Sequence, residues 1–166
     1  MELERFTRAL RLRLLWFQWK QKDRTWNALD LPCDSQDHEL FVASTIVTLG
    51  NGKTAMFWTS SWLNGIAPKN LAPTLFLQSK RKKLTVSKAL DENRWISNLL
   101  PLQTRQELHE YVELWDQVRG YRLSEHTEDT IRWRWTQDGE YSTKSAYQIQ
   151  FEGCYSKMKL LPICKA

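Results

Sequence analysis

FVASTIVTLGNGKTAMFWTSSWLNGIAPKNLAPTLF, residues 41–76, is the stretch from which the fold can be predicted. Asn51 and Gly52 separate two runs rich in β-branched and aromatic residues. An Asn-Gly pair in such a setting is a strong hairpin signal, because both residues tolerate positive φ. We therefore predict a β-hairpin over residues 41–58, a loop anchored by Trp62, and a short helix over residues 70–78.

Gly52, Lys53 and Thr54 also match the last part of a phosphate-binding P-loop. The complete motif requires another glycine five residues before Gly52, where this chain has Val47. It also requires a helix that begins at the lysine, whereas residues 55–58 are typical of a strand. The spacing therefore argues against nucleotide hydrolysis by this motif.

A second hairpin is predicted over residues 131–142, with its turn at Asp138-Gly139. Strict alternation gives the first strand two different faces. One carries Ile131, Trp133 and Trp135, and the other carries Arg132 and Arg134. Aromatic rings with arginines favour a platform for single-stranded nucleic acid, but the two sets point apart. A tryptophan face packed on the following helix, which begins after Ser142, is the favoured interpretation.

Residues 3–20 predict a basic amphipathic helix. Its apolar positions are Leu3, Phe6, Leu10, Leu14 and Phe17, and its arginines are Arg5, Arg8, Arg11 and Arg13. Three interpretations stay open: a helix docked on the aromatic core, a helix that contacts phosphates or a membrane surface, and a mitochondrial presequence. Glu2 and Glu4 argue against the presequence, since such peptides are poor in acidic residues.

Further helices are predicted after Thr85 and over residues 104–120. Thr104 and Glu107 have the spacing of a capping box. The apolar stripe that follows consists of Leu108, Tyr111, Val112, Trp115 and Val118. Between the short helix and Thr85 lies a run of four cations, Lys80, Arg81, Lys82 and Lys83, which is either a solvated connector, a nucleic-acid contact or a localisation signal.

Composition narrows the classes of function. The net charge of +5 favours an anionic partner, and nine tryptophans with five tyrosines favour aromatic cores. No apolar run approaches the ~18 residues that span a bilayer. The acidic segment 34–39 lacks the pattern of a calcium loop and is better explained as a helix N-terminus or polar turn. We predict no catalytic residues, no metal site, no cofactor and no small-molecule substrate.

The three cysteines, Cys33, Cys154 and Cys164, do not have the spacing of a disulfide framework or a zinc site. Free thiols in a reducing compartment are the expectation.

The chain resembles the C-terminal region of plant non-LTR (LINE-type) retroelement polyproteins, between the reverse transcriptase and its zinc-binding domain. The resemblance covers nearly the whole chain. It is carried by Leu3-Glu4-Arg5-Phe6, Gly50-Asn51-Gly52-Lys53, Phe57-Trp58, Trp62-Leu63, Leu71-Ala72-Pro73, Ser79-Lys80-Arg81-Lys82, Trp95-Ile96, Trp133, Trp135, Asp138-Gly139-Glu140-Tyr141-Ser142 and Ser145-Ala146-Tyr147. It fades after Gly153, before any zinc ligands, so the zinc function of the family is not carried over.

We expect an α+β fold: two small antiparallel hairpins packed by several short helices around a Trp-rich core. The predicted segments are a basic helix (1–20), a hairpin with helices (21–120), a charged linker (121–130), a hairpin and helix (131–153) and a tail (154–166).

The predicted function is non-catalytic binding of RNA or DNA with little sequence preference. The candidate contacts are Arg5, Arg8, Arg11, Arg13, Lys80, Arg81, Lys82, Lys83, Arg132 and Arg134. The alternatives are a co-opted protein-interaction factor that is cytotoxic, and a relic without a selected role. Cytoplasm or nucleus is the expected location, with the mitochondrion as the alternative through the arginine helix.

Overall fold

The structure, a computed structural model, describes residues 2–21 and 30–151. Trp26, Cys154, Cys164 and the predicted tail lie outside these residues. The longer elements are α1 (Glu2–Lys20), α2 (Ser35–Ser44), β1 (Thr45–Thr48), α7 (Arg105–Val118) and β2 (Thr130–Trp133). The shorter ones are α3 (Pro68–Leu71), α4 (Pro73–Gln78), α5 (Val86–Leu90), a 3₁₀ turn (Asp91–Asn93), α6 (Arg94–Ser97) and α8 (Thr143–Gln148).

β1 pairs with β2 in a two-stranded antiparallel sheet. The chain forms two compact units. Unit 1 contains the described residues up to Thr45 and those from Arg132 onward, and unit 2 runs from Ile46 to Ile131. The α+β class and the tryptophan-rich interior are as predicted.

The core of unit 1 is built around Trp133, which is fully buried. Its ring lies 4.8 Å from that of Tyr141 and 6.3 Å from that of Trp16, both in edge contact. The indole N–H donates to Ser145 Oγ at 2.9 Å, and this hydrogen bond offsets the cost of removing the N–H from water. α1 packs on both α2 and α8, and the Tyr141 hydroxyl donates to the carbonyl of Ala9. The tryptophan therefore joins the two chain segments of unit 1.

Unit 2 has its own aromatic core. Phe57 and Trp58 are fully buried in edge contact at 5.1 Å, and Trp95 stacks on Phe57 at 5.5 Å. The indole of Trp62 donates to the carbonyl of Phe57 at 2.8 Å. Each of these large rings removes much apolar surface from water, which stabilises short helices that could not persist alone.

Residues 41–58 do not form the predicted hairpin. α2 extends through Ser44, and β1 pairs with the distant β2. Within the described residues, the predicted second strand contributes one isolated bridge, Met56 with Thr85. Gly52 takes positive φ as expected, but Asn51 does not, so the turn is not the type that was predicted. The physical reason is the carboxylate of Asp129. It accepts the backbone N–H groups of residues 50, 52, 54 and 55, which a hairpin would use to pair its strands.

Residues 131–142 also differ from the predicted hairpin. β2 provides the first strand, with Trp133 buried and Trp135 half-buried, but residues 140–142 are not a strand. The Trp133 N–H donates to the Gly139 carbonyl at 2.7 Å and closes the turn. Thr136 Oγ1 donates to the carbonyl of Glu140, also at 2.7 Å. Side-chain and turn bonds thus replace the expected ladder.

The N-termini of α2, α7 and α8 are predicted well, whereas Thr85 precedes α5 without a side-chain capping hydrogen bond. Asp34 caps α2 and Thr104 caps α7, each in a reciprocal capping box with the residue three positions later. Ser142 caps α8, as expected. The acidic segment 34–39 is therefore a helix N-terminus, one of the two forms that were predicted for it.

The apolar stripes predicted for α1 and α7 are buried only in part. In α7, Val118 is buried and the rings of Tyr111 and Trp115 pack beside that of Trp95, as predicted. α1 buries Ala9, Leu12, Leu15 and Trp16, while Leu3, Phe6 and Leu10 from the predicted stripe are exposed. α7 buries Glu107, Glu110, Leu114 and Val118, while Leu108 and Val112 are exposed.

Candidate nucleic-acid interface

The four cations at residues 80–83 lie on a loop that is fixed at both ends. At its start, Ser79 Oγ accepts the indole N–H of buried Trp58 at 3.2 Å, and the Lys80 N–H donates to the Asn98 carbonyl at 2.9 Å. At its end, the Leu84 carbonyl accepts the Phe57 N–H at 2.8 Å. We call residues 80–83 the basic loop. Its backbone is held by the aromatic core of unit 2.

All four side chains of the basic loop are exposed. Within the part of the chain that the structure describes, none of them forms an ion pair. The Lys82 ammonium lies 5.2 Å from the centre of the Phe76 ring, and the neighbouring Leu77 is 71% exposed. The basic loop therefore offers positive charge without ion-pair partners among the described residues, beside the aromatic ring of Phe76.

Arg8 and Arg11 of α1 already have anionic partners. Arg11 donates to Asp37 at 2.5 Å and also approaches Asp34, while Arg8 lies 3.3 Å from the Asp37 carboxylate. Asp37 is fully buried, and its hydrogen bond raises the pKa of Arg11 above the ordinary value. These two arginines neutralise a buried charge and hold α1 on α2. Releasing them to a phosphate would leave that charge unpaired, which is costly.

Arg5 and Arg13 lie over aromatic rings. The Arg5 guanidinium is 4.3 Å from the centre of the Phe151 ring, and the Arg13 guanidinium is 5.1 Å from that of Phe17. Arg13 is exposed and Arg5 is half-buried. Cation–π contacts at a protein surface contribute modestly to stability. They leave the N–H groups at the edge of the guanidinium able to donate hydrogen bonds.

The two arginines of the second predicted hairpin differ from each other. Arg132 is exposed, and its stem lies against Gly139. Arg134 is half-buried, donates to the Thr45 carbonyl at 3.3 Å, and has its pKa lowered by desolvation. Arg132 therefore remains available to solvent, whereas Arg134 serves the backbone of unit 1.

The sequence analysis places Asp129 in a charged linker and misses its role as a buried carboxylate that accepts four backbone hydrogen bonds. Its side chain is buried, and Oδ1 accepts the N–H groups of Gly50 and Gly52, both at 2.8 Å. Oδ2 accepts those of Thr54 at 3.0 Å and Ala55 at 2.9 Å. We call this arrangement the Asp129 clasp. Asp, Gly and Thr residues far apart in sequence gave no signal for it.

The ionisation of Asp129 follows from these bonds. Burial by itself raises the pKa of the carboxyl group, but the four N–H donors outweigh burial and hold the pKa below its ordinary value of 3.8. The group is therefore an anion at neutral pH. Successive backbone N–H groups that converge on one anion form a nest, the arrangement that phosphate-binding loops use.

Two more buried carboxylates organise the helices of unit 2. Glu110 accepts from the Thr74 N–H at 3.0 Å, the Thr74 hydroxyl at 2.9 Å and the Leu75 N–H at 3.2 Å, at the start of α4. Glu107 completes the α7 capping box and accepts the Gln78 amide. These contacts explain why α7 buries Glu107 and Glu110 and leaves Leu108 exposed.

Among the described residues, no group of His, Cys, Asp and Glu side chains could hold a metal ion, and no helix is long and apolar enough to cross a membrane. Cys33 is a free thiol whose pKa is raised to about 11, mainly by burial. No family model, curated protein or solved structure matches the chain.

Proposed function

We propose that this chain is a non-catalytic protein, derived from a LINE-type retroelement, that binds nucleic acid through the basic loop. The family resemblance of the sequence motivates the origin. The observation that carries the binding is the exposure of four consecutive cations without ion-pair partners among the described residues. Phosphates along a strand supply the matching charge, and their released counterions provide the driving force.

The site has the features of a contact to the phosphate backbone without base selection. Lys and Arg side chains on a loop pair with phosphates wherever they fall along a strand. The ring of Phe76 lies beside Lys82, so a base of a single strand that binds the basic loop can stack near this ring. Arg13 and Arg132 are exposed, and we treat them as secondary contacts.

Fluorescence anisotropy with a labelled single-stranded RNA and a DNA of the same sequence tests this proposal. If all four cations contact phosphates, log K should fall against log salt with a slope of about −2.8 on single strands. Arg81→Ala with Lys82→Ala should reduce the slope by about 1.4 and weaken binding to every sequence alike.

The matched control removes two cations of similar exposure, Arg94→Ala with Arg119→Ala. Both side chains are exposed, and each pairs with an aspartate on its own turn, at 3.0 Å to Asp91 and 3.1 Å to Asp116. The control should keep the slope of the unmodified chain. Binding that does not depend on salt, or equal losses in both double variants, would rule out the basic loop as the site.

A second candidate function, protein interaction, is favoured by the outward face of α1. Leu3 is 77% exposed, Phe6 48% and Leu10 41%. An exposed apolar line on a helix is a common docking feature and an aggregation hazard. Deleting the whole helix would also remove buried Leu12 and Trp16, so the test is Leu3→Ser with Phe6→Ser and Leu10→Ser. Loss of partner binding or of mitochondrial location, with the fold retained, supports this function, and unchanged behaviour excludes it.

A further inference from the structure

The loop from Gly50 to Ala55 has the geometry of an anion site, quite apart from the basic loop. Four N–H groups converge on the two oxygens of one carboxylate, with N to O distances of 2.8 to 3.0 Å. Asp129 is buried, with only 5% of the residue exposed. Donors fixed before the ligand arrives bind an anion without paying for reorganisation.

The loop cannot easily relax away from this geometry. A Cβ atom at Gly50 would lie 2.2 Å from the Thr127 carbonyl oxygen, and one at Gly52 would lie 2.8 Å from the Ser87 nitrogen. The Gly50 carbonyl accepts the Ser124 N–H and the Gly52 carbonyl accepts the Ser87 N–H, both at 2.8 Å. Both glycine carbonyls are thus engaged with neighbouring segments, and the N–H groups stay aimed at one point.

We propose that residues 50–55 form an oxyanion-binding site whose resident ligand is the chain's own Asp129 carboxylate, and that this site binds a small planar oxyanion from solution when that carboxylate is removed. The ligand class is the carboxylate ion, because the donors are divided as two pairs between two oxygens held on one carbon. The unmodified chain fills the site itself and should not respond to added carboxylate.

Two truncations of Asp129 in the full chain give the test, because each leaves a vacancy of a different size. Asp129→Ala removes a carbon and two oxygens, which are the heavy atoms of formate. Asp129→Gly removes one further carbon, so its vacancy matches acetate. Both variants should melt at least about 10 °C below the unmodified chain, because buried N–H groups lose their acceptors.

The matched acid should then restore stability. Formate at several times its dissociation constant should raise the melting temperature of Asp129→Ala by about 3 °C beyond the same concentration of chloride. Acetate should stabilise Asp129→Gly more than Asp129→Ala, since the retained Cβ occupies the place of the acetate methyl. Leu114→Ala, a buried truncation without donors, measures the general effect of each salt.

Equal responses to formate in Asp129→Ala, Leu114→Ala and the unmodified chain would overturn the proposal. If neither truncation folds in chloride, the matched acid is added during refolding, and failure to recover helical circular dichroism has the same meaning. Asp129→Asn keeps the shape but loses the charge, so a variant as stable as the unmodified chain would also refute an anion site. None of these outcomes depends on whether the basic loop binds nucleic acid.

Discussion

Asp129 makes the stability of the protein depend on pH. Its pKa in the folded state is below 3.8, so the folded state binds the proton less readily than the unfolded state does. A carboxyl group whose pKa is lower in the folded state than in the unfolded state stabilises the fold. This stabilisation is fully present at pH values above the pKa of the unfolded state. The stabilisation is lost as the pH falls through the pKa of the folded state.

Urea unfolding at a series of pH values between 7 and 3 measures this effect. Asp129→Asn should be less stable than the unmodified chain at neutral pH, and the difference should begin to shrink as the pH falls below 3.8, because the unfolded state then takes up a proton more readily than the folded state does. Asp116→Asn is the control, because Asp116 is exposed in a surface ion pair. A difference between Asp129→Asn and the unmodified chain that stays constant down to pH 3 would show that the charge of Asp129 is not what stabilises the clasp.

Glu110 is the second residue whose loss should be costly. Glu110 is 3% exposed, and its carboxylate accepts the first N–H groups of α4. Glu110→Ala leaves those buried donors unpaired and should lower the free energy of unfolding by about 3 kcal/mol. Glu113→Ala, on the exposed face of the same helix, should stay within about 0.5 kcal/mol. Chemical denaturation of both variants makes the comparison, and equal losses would contradict it.

At the scale of elements, local signals predict helix ends better than they predict helix faces. Thr104 and Glu107 reveal the start of α7 because a capping box involves residues only three positions apart. The buried face depends on partners far away in sequence. Glu110 is turned inward by donors at Thr74 and Leu75, and no periodicity of apolar residues reports such a contact.

The same limit explains the sheet. β1 was predicted from its β-branched residues, yet its partner was expected within ten residues and is instead β2. Asn51-Gly52 predicts a turn, but the backbone N–H groups of Gly52 and Thr54, which would pair the strands of a hairpin, donate to Asp129. The buried aspartate outweighed local propensity. Fold class and the aromatic cores could be predicted, while the clasp could not.

α1 provides a direct test of which face is buried. Leu12 is fully buried and Leu3 is 77% exposed on the same helix. Leu12→Ala should cost about 3 kcal/mol of unfolding free energy, from lost burial and a cavity. Leu3→Ala should change it by less than about 0.5 kcal/mol. If Leu3→Ala proved the more damaging in urea unfolding, the originally predicted apolar stripe would be the true inner face.

At the scale of the whole molecule, the two units differ in how the chain builds them. Unit 2 is one continuous segment, beginning within β1 and ending within β2, whereas unit 1 combines two segments separated by all of unit 2. Unit 2 also has its own aromatic core and the Asp129 clasp, which links residue 50 to residue 129. A continuous segment with its own core has what a domain needs to fold by itself.

Residues 46–131 expressed alone should therefore fold. The expected result is near-ultraviolet circular dichroism from Trp58, Trp62 and Trp95, and a single cooperative unfolding transition in urea. The same segment with Asp129→Ala should lose both signals or unfold at much lower urea. A segment without tertiary signal would show that unit 2 depends on the rest of the chain.

The frequency of missense alleles at the residues of the Asp129 clasp can show whether natural selection still acts on this chain. A Cβ atom at Gly50 would collide with the backbone of Thr127 and Glu128, and the Gly52 N–H donates to Asp129, so most missense alleles at Gly50, Gly52 and Asp129 strongly destabilise the fold. Leu108 and Val112 are about half exposed and tolerate change. In a population that needs the protein, alleles at the first three positions are purged while those at the other two drift. In a decaying relic, both groups accumulate missense alleles at the same rate.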